Sequence, residues 1–280
     1  MPGLFEDYKK FEDIMSNCTY RDDSLDTSKY PFLAPTTLIP LLCEIERRKI
    51  NKIITNEKTH DYVKLILNKE KTSTTTPYTI LPVRREMDED NELAMNMAKL
   101  IGDDYGGLQT RYHILNELIT NIYGHTPFDE GYATQGYIYA QEYPSVNKVD
   151  FCVMDDGLSI PGKFELADIP FDDDCHAIEK AITNGITTIK NEEQNRGFGL
   201  FTILRLVMEG NGGSALIVSR KGCLDIKNKD KYKYKLLDNN SIFKGTLISL
   251  KLNKYPVQNF YKYMESEGIN PYKYKKIKRE

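Results

Sequence analysis

The sequence predicts an α/β chain, and three observations carry that class. Residues 111–126, RYHILNELITNIYGHT, place Leu115, Leu118, Ile119 and Ile122 at the i, i+3, i+4, i+7 spacing of a helix with one buried face. Four strand-like runs follow one another closely at 214–219, 223–227, 232–237 and 246–252. Ahead of both, residues 31–70 alternate a helical pattern, a short β-like run and a second helical pattern. The chain has 280 residues, enough for one large domain or two smaller ones, and its 40% hydrophobic content supports a real core.

Taken in order, residues 1–30 are polar, with weak helical character near 5–15, and form an arm or a packed extension. Thr36 and Thr37 are cap candidates for a helix carrying Leu38, Leu41, Leu42 and Ile45, with Pro40 tolerated in its first turn. A β-like run at 52–55 and a helix at 59–68 complete a small helix–strand–helix unit. The Ser/Thr stretch 72–76 is a junction, and 78–83 is strand-like, interrupted by Pro82. A second region starts near Arg84. Asp88 and Asp90 offer caps for a helix with Leu93, Met97, Leu100 and Ile101, which Gly102 ends. Gly106 and Gly107 turn the chain into the 111–126 helix.

Strands are expected at 136–141 and 149–154, then a Gly- and Pro-rich turn, DDGLSIPGKF. A helix at 172–184, a polar stretch at 185–196 and a helix opening at RGFGL lead into the four closing strands. This divides the chain into an N-terminal unit at 1–83, a main domain at 84–254 and a Lys/Tyr-rich tail at 255–280.

Composition removes several functions. The net charge of −3 gives no overall basic field for nucleic acid, and the terminal KYKKIKRE is expected to be a solvated tail. No run approaches the length of a membrane-spanning helix, and the N-terminal fifteen residues lack the apolar core of a secretory signal. The five cysteines are odd in number and form no CxxC pair, which argues against a disulfide framework or a zinc site and for a cytoplasmic location.

The chemistry-bearing residues fall in a fixed order. Glu117 and Asn121 sit four apart on one helix, so their side chains stack at the edge of its apolar face. Glu117 is suited to act as a general base, and Asn121 offers a neutral oxygen to Mg²⁺. Asp155 ends an apolar strand as a partly buried acceptor, fit for the exocyclic amine of an adenine, and Gly157 lets backbone approach a flat base. Arg196-Gly197-Phe198-Gly199-Leu200 opens a helix whose first N–H groups suit phosphate.

In that order the three segments resemble the GHKL ATPase superfamily of gyrase, heat-shock chaperones, histidine kinases and mismatch-repair ATPases. NELITN resembles its N box, DDGLSIP its first glycine box, RGFGL its second, and Gly245-Thr246 its closing GT, over about residues 90–252. The resemblance implies the Bergerat fold: a two-layer α+β sandwich, a mixed sheet with helices on one face, and ATP between them. It implies Glu117 as catalytic base and Asn121 as Mg²⁺ ligand. Asp155, Gly157 and Ile160 would line the adenine end, with Thr246 beside its bound water, and Arg196, Gly197, Gly199 and Leu200 would surround the phosphates. Residues 163–196 would form the ATP lid. Two departures stand out: Ser159 occupies a usual glycine position, and Asp172, Asp173 and Asp174 put acid into the lid.

The Asn121–His125 spacing resembles the anti-sigma-factor kinase branch, which adds His125 as a phosphate or water contact. The N-terminal unit resembles a trimmed STAS-like segment, implying a protein partner and leaving a homodimer open. The expected function is a cytoplasmic Mg-ATP-binding regulatory protein with slow hydrolysis or phosphoryl transfer to a protein. Two alternatives stand beside it: an anti-sigma-like serine/threonine kinase, and a non-hydrolysing nucleotide-dependent switch. A sensor histidine kinase is disfavoured, because none of His60, His113, His125 and His176 lies in a clear phosphoacceptor motif ahead of the N box.

Overall fold

The computed structural model describes residues 2–18, 24–60, 63, 81–83, 92–102, 104–125, 136–183, 199–238, 242–264 and 270–275. Helix α1 (Leu4–Ser16) buries Leu4, Tyr8, Phe11 and Ile14 along one stripe. A short strand β1 (Ser24–Asp26), helix α2 (Pro35–Arg48) and strand β2 (Lys52–Ile54) follow, and β1 and β2 pair in parallel across the helix. The sequence pattern missed β1 because three residues cannot show a period.

Helix α2 starts at Pro35, and no side chain caps it. The hydroxyls expected to cap it have other partners: Thr37 donates to the Asp7 carbonyl at 2.7 Å and Thr36 meets Ser249 at 2.5 Å. With this start, Pro40 lies inside the helix and not in its first turn. Lys49, in the left-handed region at φ 56°, closes the helix. Of the helix expected at 59–68, only Thr59, His60 and Val63 are described.

The main sheet has seven strands in the order β3-β4-β5-β9-β6-β7-β8. They are β3 (Leu81–Val83), β4 (Gly136–Tyr143), β5 (Lys148–Asp155), β6 (Ser214–Arg220), β7 (Gly222–Asn228), β8 (Lys231–Leu236) and β9 (Phe243–Asn253). Every pairing within it is antiparallel, where a mixed sheet was expected. The tight links between β6, β7 and β8 force reversal, and β9 enters between β5 and β6 running against both.

The pleat gives this sheet two distinct faces. Asp150, Cys152, Ser249 and Lys251 share one, and α1 and α2 cover it, with Thr36 on Ser249 and the rings of Tyr8 and Phe11 against Phe243. Asp155, Thr246 and Ser219 share the other. Helices α3 (Glu92–Leu100), α4 (Leu108–His125), α5 (Ser159–Leu166), α6 (Asp174–Ala181) and α7 (Gly199–Arg205) form the layer there, and α7 runs on into a π-helical turn, Leu206–Gly210. Helices α3 to α7 thus share one face, while α1 and α2 close the other. One continuous cluster of buried side chains runs through both layers, including Tyr8, Leu38, Leu118, Ile178 and Leu250.

Helix α4 begins three residues earlier than its apolar pattern suggested. Gly106 and Gly107, at φ 71° and 82°, make the turn that admits it. Arg111, fully buried, fastens α4 to α3 by donating to the carbonyls of Ala98, Ile101 and Tyr105 at 3.0, 3.2 and 2.9 Å. Part of the tail is bound, against the expectation of a solvated segment. Tyr272 is buried, its carbonyl accepts from the Tyr234 hydroxyl at 2.8 Å, and Tyr274 bonds Asp173. Tail helix α8 (Phe260–Met264) lies close to the π-helical turn. Among the described residues, no helix is long and apolar enough to cross a membrane.

Candidate functional site

Two strands build the first half of the site. Asp155 is the last residue of β5, and Thr246 of β9 lies directly across from it. Ahead of Thr246, Gly245 sits at φ 80°, and a Cβ there would overlap the Asp155 carbonyl and come within 2.7 Å of the Asp156 Cα. Only glycine fits, so the GT pair presses its backbone against the Asp-Asp pair.

A residue the sequence did not mark locks this junction. Ser219 of β6 is fully buried on the far side of Thr246. Its Oγ accepts from the Ile160 N–H at 2.9 Å, lies 3.1 Å from the Gly245 carbonyl and 3.1 Å from the Thr246 hydroxyl. A hydroxyl has one proton, so the consistent arrangement has Thr246 donating to Ser219 and Ser219 donating to Gly245. Only the strand register reveals this; a serine in an alternating strand carries no signal of its own.

Asp155 Oδ1 accepts from the Gly157 N–H at 2.8 Å, which fixes the turn after β5. Burial, opposed by the Gly157 N–H and by Lys163 and helped by the neighbouring Asp156, leaves the Asp155 carboxyl pushed up to about 7. Asp156 is buried too, 3.7 Å from the Lys244 ammonium.

Beyond the turn, DDGLSIPGKF is not a plain loop, because α5 begins within it. Ser159 adopts φ 71°, the left-handed conformation a glycine would take without strain, and its Oγ accepts from the Gly162 N–H at 3.2 Å. That bond, with Pro161 in the first turn, starts the helix. Ile160 is half-buried against the core.

The second half of the site comes from α4 and α7. Glu117 and Asn121 lie one turn apart, both half-buried. The Glu117 carboxylate lies against Gly199, the first residue of α7: a Cβ on Gly199 would collide with Glu117 Oε2 and stand 3.3 Å from its Cδ. The structure therefore joins two segments of the expected site that are about eighty residues apart in the sequence. Leu200 follows, half-buried and packed on the core.

One turn before Glu117, His113 was also missed as part of this row. Burial depresses its pKa, its Nε2 has no hydrogen-bond partner among the described residues, and the Phe260 ring stands edge-on at 5.8 Å. His125 ends α4, and only its backbone is described. Arg196 and Gly197 lie outside the described residues, as does most of the stretch expected as a lid.

The acids expected in that lid have structural partners at its near end. Asp173 caps α6 by accepting from the Cys175 and His176 N–H groups at 3.0 Å each, and Asp174 accepts from the Lys221 N–H at 3.0 Å. Among the described residues, no group of three or more His, Cys, Asp or Glu side chains gathers as a metal centre. A cation at Asn121 would thus need most of its ligands from phosphate and water.

On one face of the sheet, then, the chain presents a buried acid beside a glycine-threonine pair and a helix-borne carboxylate against a glycine at a helix start. The first is suited to a planar hydrogen-bond donor, the second to positioning a water or a hydroxyl. No family model matches the chain, and comparison with curated proteins finds no match.

Proposed function

We propose that the protein binds Mg-ATP and uses it in slow hydrolysis or in phosphoryl transfer to a protein partner, in the manner of the GHKL ATPases its motifs resemble. The observation that supports this reading most is the contact of the Glu117 carboxylate with Gly199. Two motifs separated by a strand pair and two helices meet there, and they carry the roles of base and phosphate loop.

Asp155 and the Gly245-Thr246 backbone fit the base end. A buried carboxylate with a raised pKa gains most from a ligand that donates to it, and the narrow glycine contact leaves backbone beside it. When bound, ATP supplies the transferable phosphoryl group and Mg²⁺ offsets its charge. The chain's own part is positional. Asp155 would accept the base amine, Thr246 and Ser219 hold the turn, Asn121 would offer its oxygen to the metal, and Glu117 would take a proton from the attacking water or hydroxyl.

The test is binding of MgATP to the wild type and to Asp155→Asn. Wild-type binding that the substitution weakens supports the reading; negligible binding by both overturns it. Turnover by wild type and Glu117→Gln then separates an enzyme from a switch: turnover lost in the variant gives hydrolysis or transfer, and lid closure on ATP without turnover gives the switch. Labelled phosphate on a partner, and none on water, would make it a protein kinase.

A further inference from the structure

The face of the sheet opposite the candidate site holds a cluster of buried charges that the nucleotide reading does not use. Asp150 lies near the start of β5 with no exposed surface. Lys251, its cross-strand neighbour on β9, is 5% exposed, and its ammonium stands 3.5 Å from Asp150 Oδ1 while donating to the Pro2 carbonyl at 3.3 Å. Helix α1 adds Asp7, also without exposed surface, whose Oδ1 accepts from Lys10 at 2.7 Å and whose carbonyl accepts from Thr37 of α2. Neither oxygen of Asp150, nor Asp7 Oδ2, has a hydrogen-bond partner among the described residues.

We propose that Asp150 is a proton-operated latch that sets how tightly α1 sits on the sheet. A carboxylate whose one close cation stands 3.5 Å away, outside good hydrogen-bond geometry, is costly to bury, and a second buried carboxylate nearby raises the cost. Protonation removes the charge and gives one oxygen a proton to donate. When α1 lifts, Asp7 leaves with it and water reaches Asp150.

The charged groups around Asp150 are Lys251 on β9, Asp7 and, behind it, Lys10 on α1, and Lys148 on its own strand; α2 contributes the Thr37 hydroxyl. Burial is the largest influence and pushes the carboxyl up to about 7, with Asp7 adding to the rise and Lys251 and Lys148 opposing it. The docked state therefore holds a proton that the lifted state, at an ordinary carboxylate pKa of about 4, releases. Docking is tightest at acid pH, weakens by up to about tenfold per unit between pH 5 and 7, and levels off above that.

Amide hydrogen exchange of α1, corrected for intrinsic rates and referenced to β6 within the same molecule, reads the docking constant. In the wild type, protection of α1 relative to β6 falls at least tenfold from pH 5 to pH 7. In Asp150→Asn, which is neutral at every pH, it stays within about twofold over that range. Equal slopes in the two proteins, no slope in the wild type, or α1 amides that exchange only together with β6, each overturn the latch. Should the variant not fold, isotope-edited infrared titration of the wild-type aspartates decides: a carboxyl midpoint between 6 and 8 that moves when Lys251→Met is introduced supports it, and the absence of any midpoint in that range that Lys251→Met moves overturns it.

Discussion

A base that donates its amine to Asp155 needs that residue ionised, and burial works against this. With the carboxyl pushed up to about 7, roughly half of the empty molecules carry a neutral Asp155 at neutral pH. A ligand that binds only the ionised form loses affinity in proportion to the fraction lost. Between pH 8 and pH 6 the ionised fraction falls from about nine-tenths to about one-tenth, so the apparent Kd for MgATP rises about tenfold. On the proposed reading the sign is fixed: bound nucleotide would hold Asp155 ionised, binding would release a proton, and acid would oppose binding.

Isothermal titration calorimetry at both pH values reads the affinities. Repeating it near pH 7 in two buffers of different ionisation enthalpy reads the proton, with about half a proton released per ATP. The terminal phosphate of ATP titrates in the same range, so Asp155→Asn is measured alongside, and the difference in slope belongs to Asp155. Inosine triphosphate supplies a second check. Its carbonyl accepts where adenine donates, so it pairs with the neutral acid and its affinity relative to ATP rises as pH falls. Equal slopes for wild type and variant, with the same order of the two nucleotides at both pH values, would refute the placing of a base amine on Asp155.

Gly245→Ala puts a methyl into the Asp155 carbonyl at φ 80° and should lower unfolding free energy by about 2 kcal/mol or more in urea melts, with any nucleotide binding lost as well. Gly199→Ala meets the flexible end of Glu117 and no backbone, so melting should hold while ATP turnover falls about tenfold to a hundredfold; unchanged turnover would detach Glu117 from the chemistry. Arg111→Met removes three hydrogen bonds to buried carbonyls and should cost about 3 kcal/mol by denaturant titration. Ser159→Gly relieves about 1 kcal/mol of left-handed strain and loses about as much with the Gly162 bond, so calorimetric stability should move by less than about 0.5 kcal/mol.

Periodicity made the helices and closing strands legible where burial alone shaped the pattern. The stripe Leu115, Leu118, Ile119, Ile122 is buried as its spacing demands. Boundaries failed where a side chain had a distant partner. Thr36 and Thr37 have the chemistry of caps, yet their partners, Ser249 and the Asp7 carbonyl, come from other elements, which no local window contains. Ser159 concealed a helix start because its hydroxyl does work that the Gly- and Pro-rich composition around it obscures.

The candidate site divides in the same way. Asp155, Glu117 and Gly199 were visible because each is an odd residue type in its place: an acid closing an apolar strand, a carboxylate on an apolar edge, a glycine opening a helix. Ser219 and Asp150 were invisible for opposite reasons. Ser219 is an ordinary residue made important by three partners drawn from two other segments. Asp150, in the run KVDFCVMD, has the alternation of a solvent-facing position, and only the N-terminal helices α1 and α2, about a hundred residues or more earlier in the chain, turn that position into the interior. Both faces of β5 thus carry a buried acid with a pKa near 7, five residues apart and facing opposite layers. The two acids titrate in the same window with different consequences. On the two proposals, acid would tighten α1 on one face through Asp150 and withdraw the base acceptor on the other through Asp155. Lowering pH from 8 to 6 should therefore favour a closed, nucleotide-free protein, and Asp150→Asn should remove the first effect while leaving the tenfold change in nucleotide affinity in place.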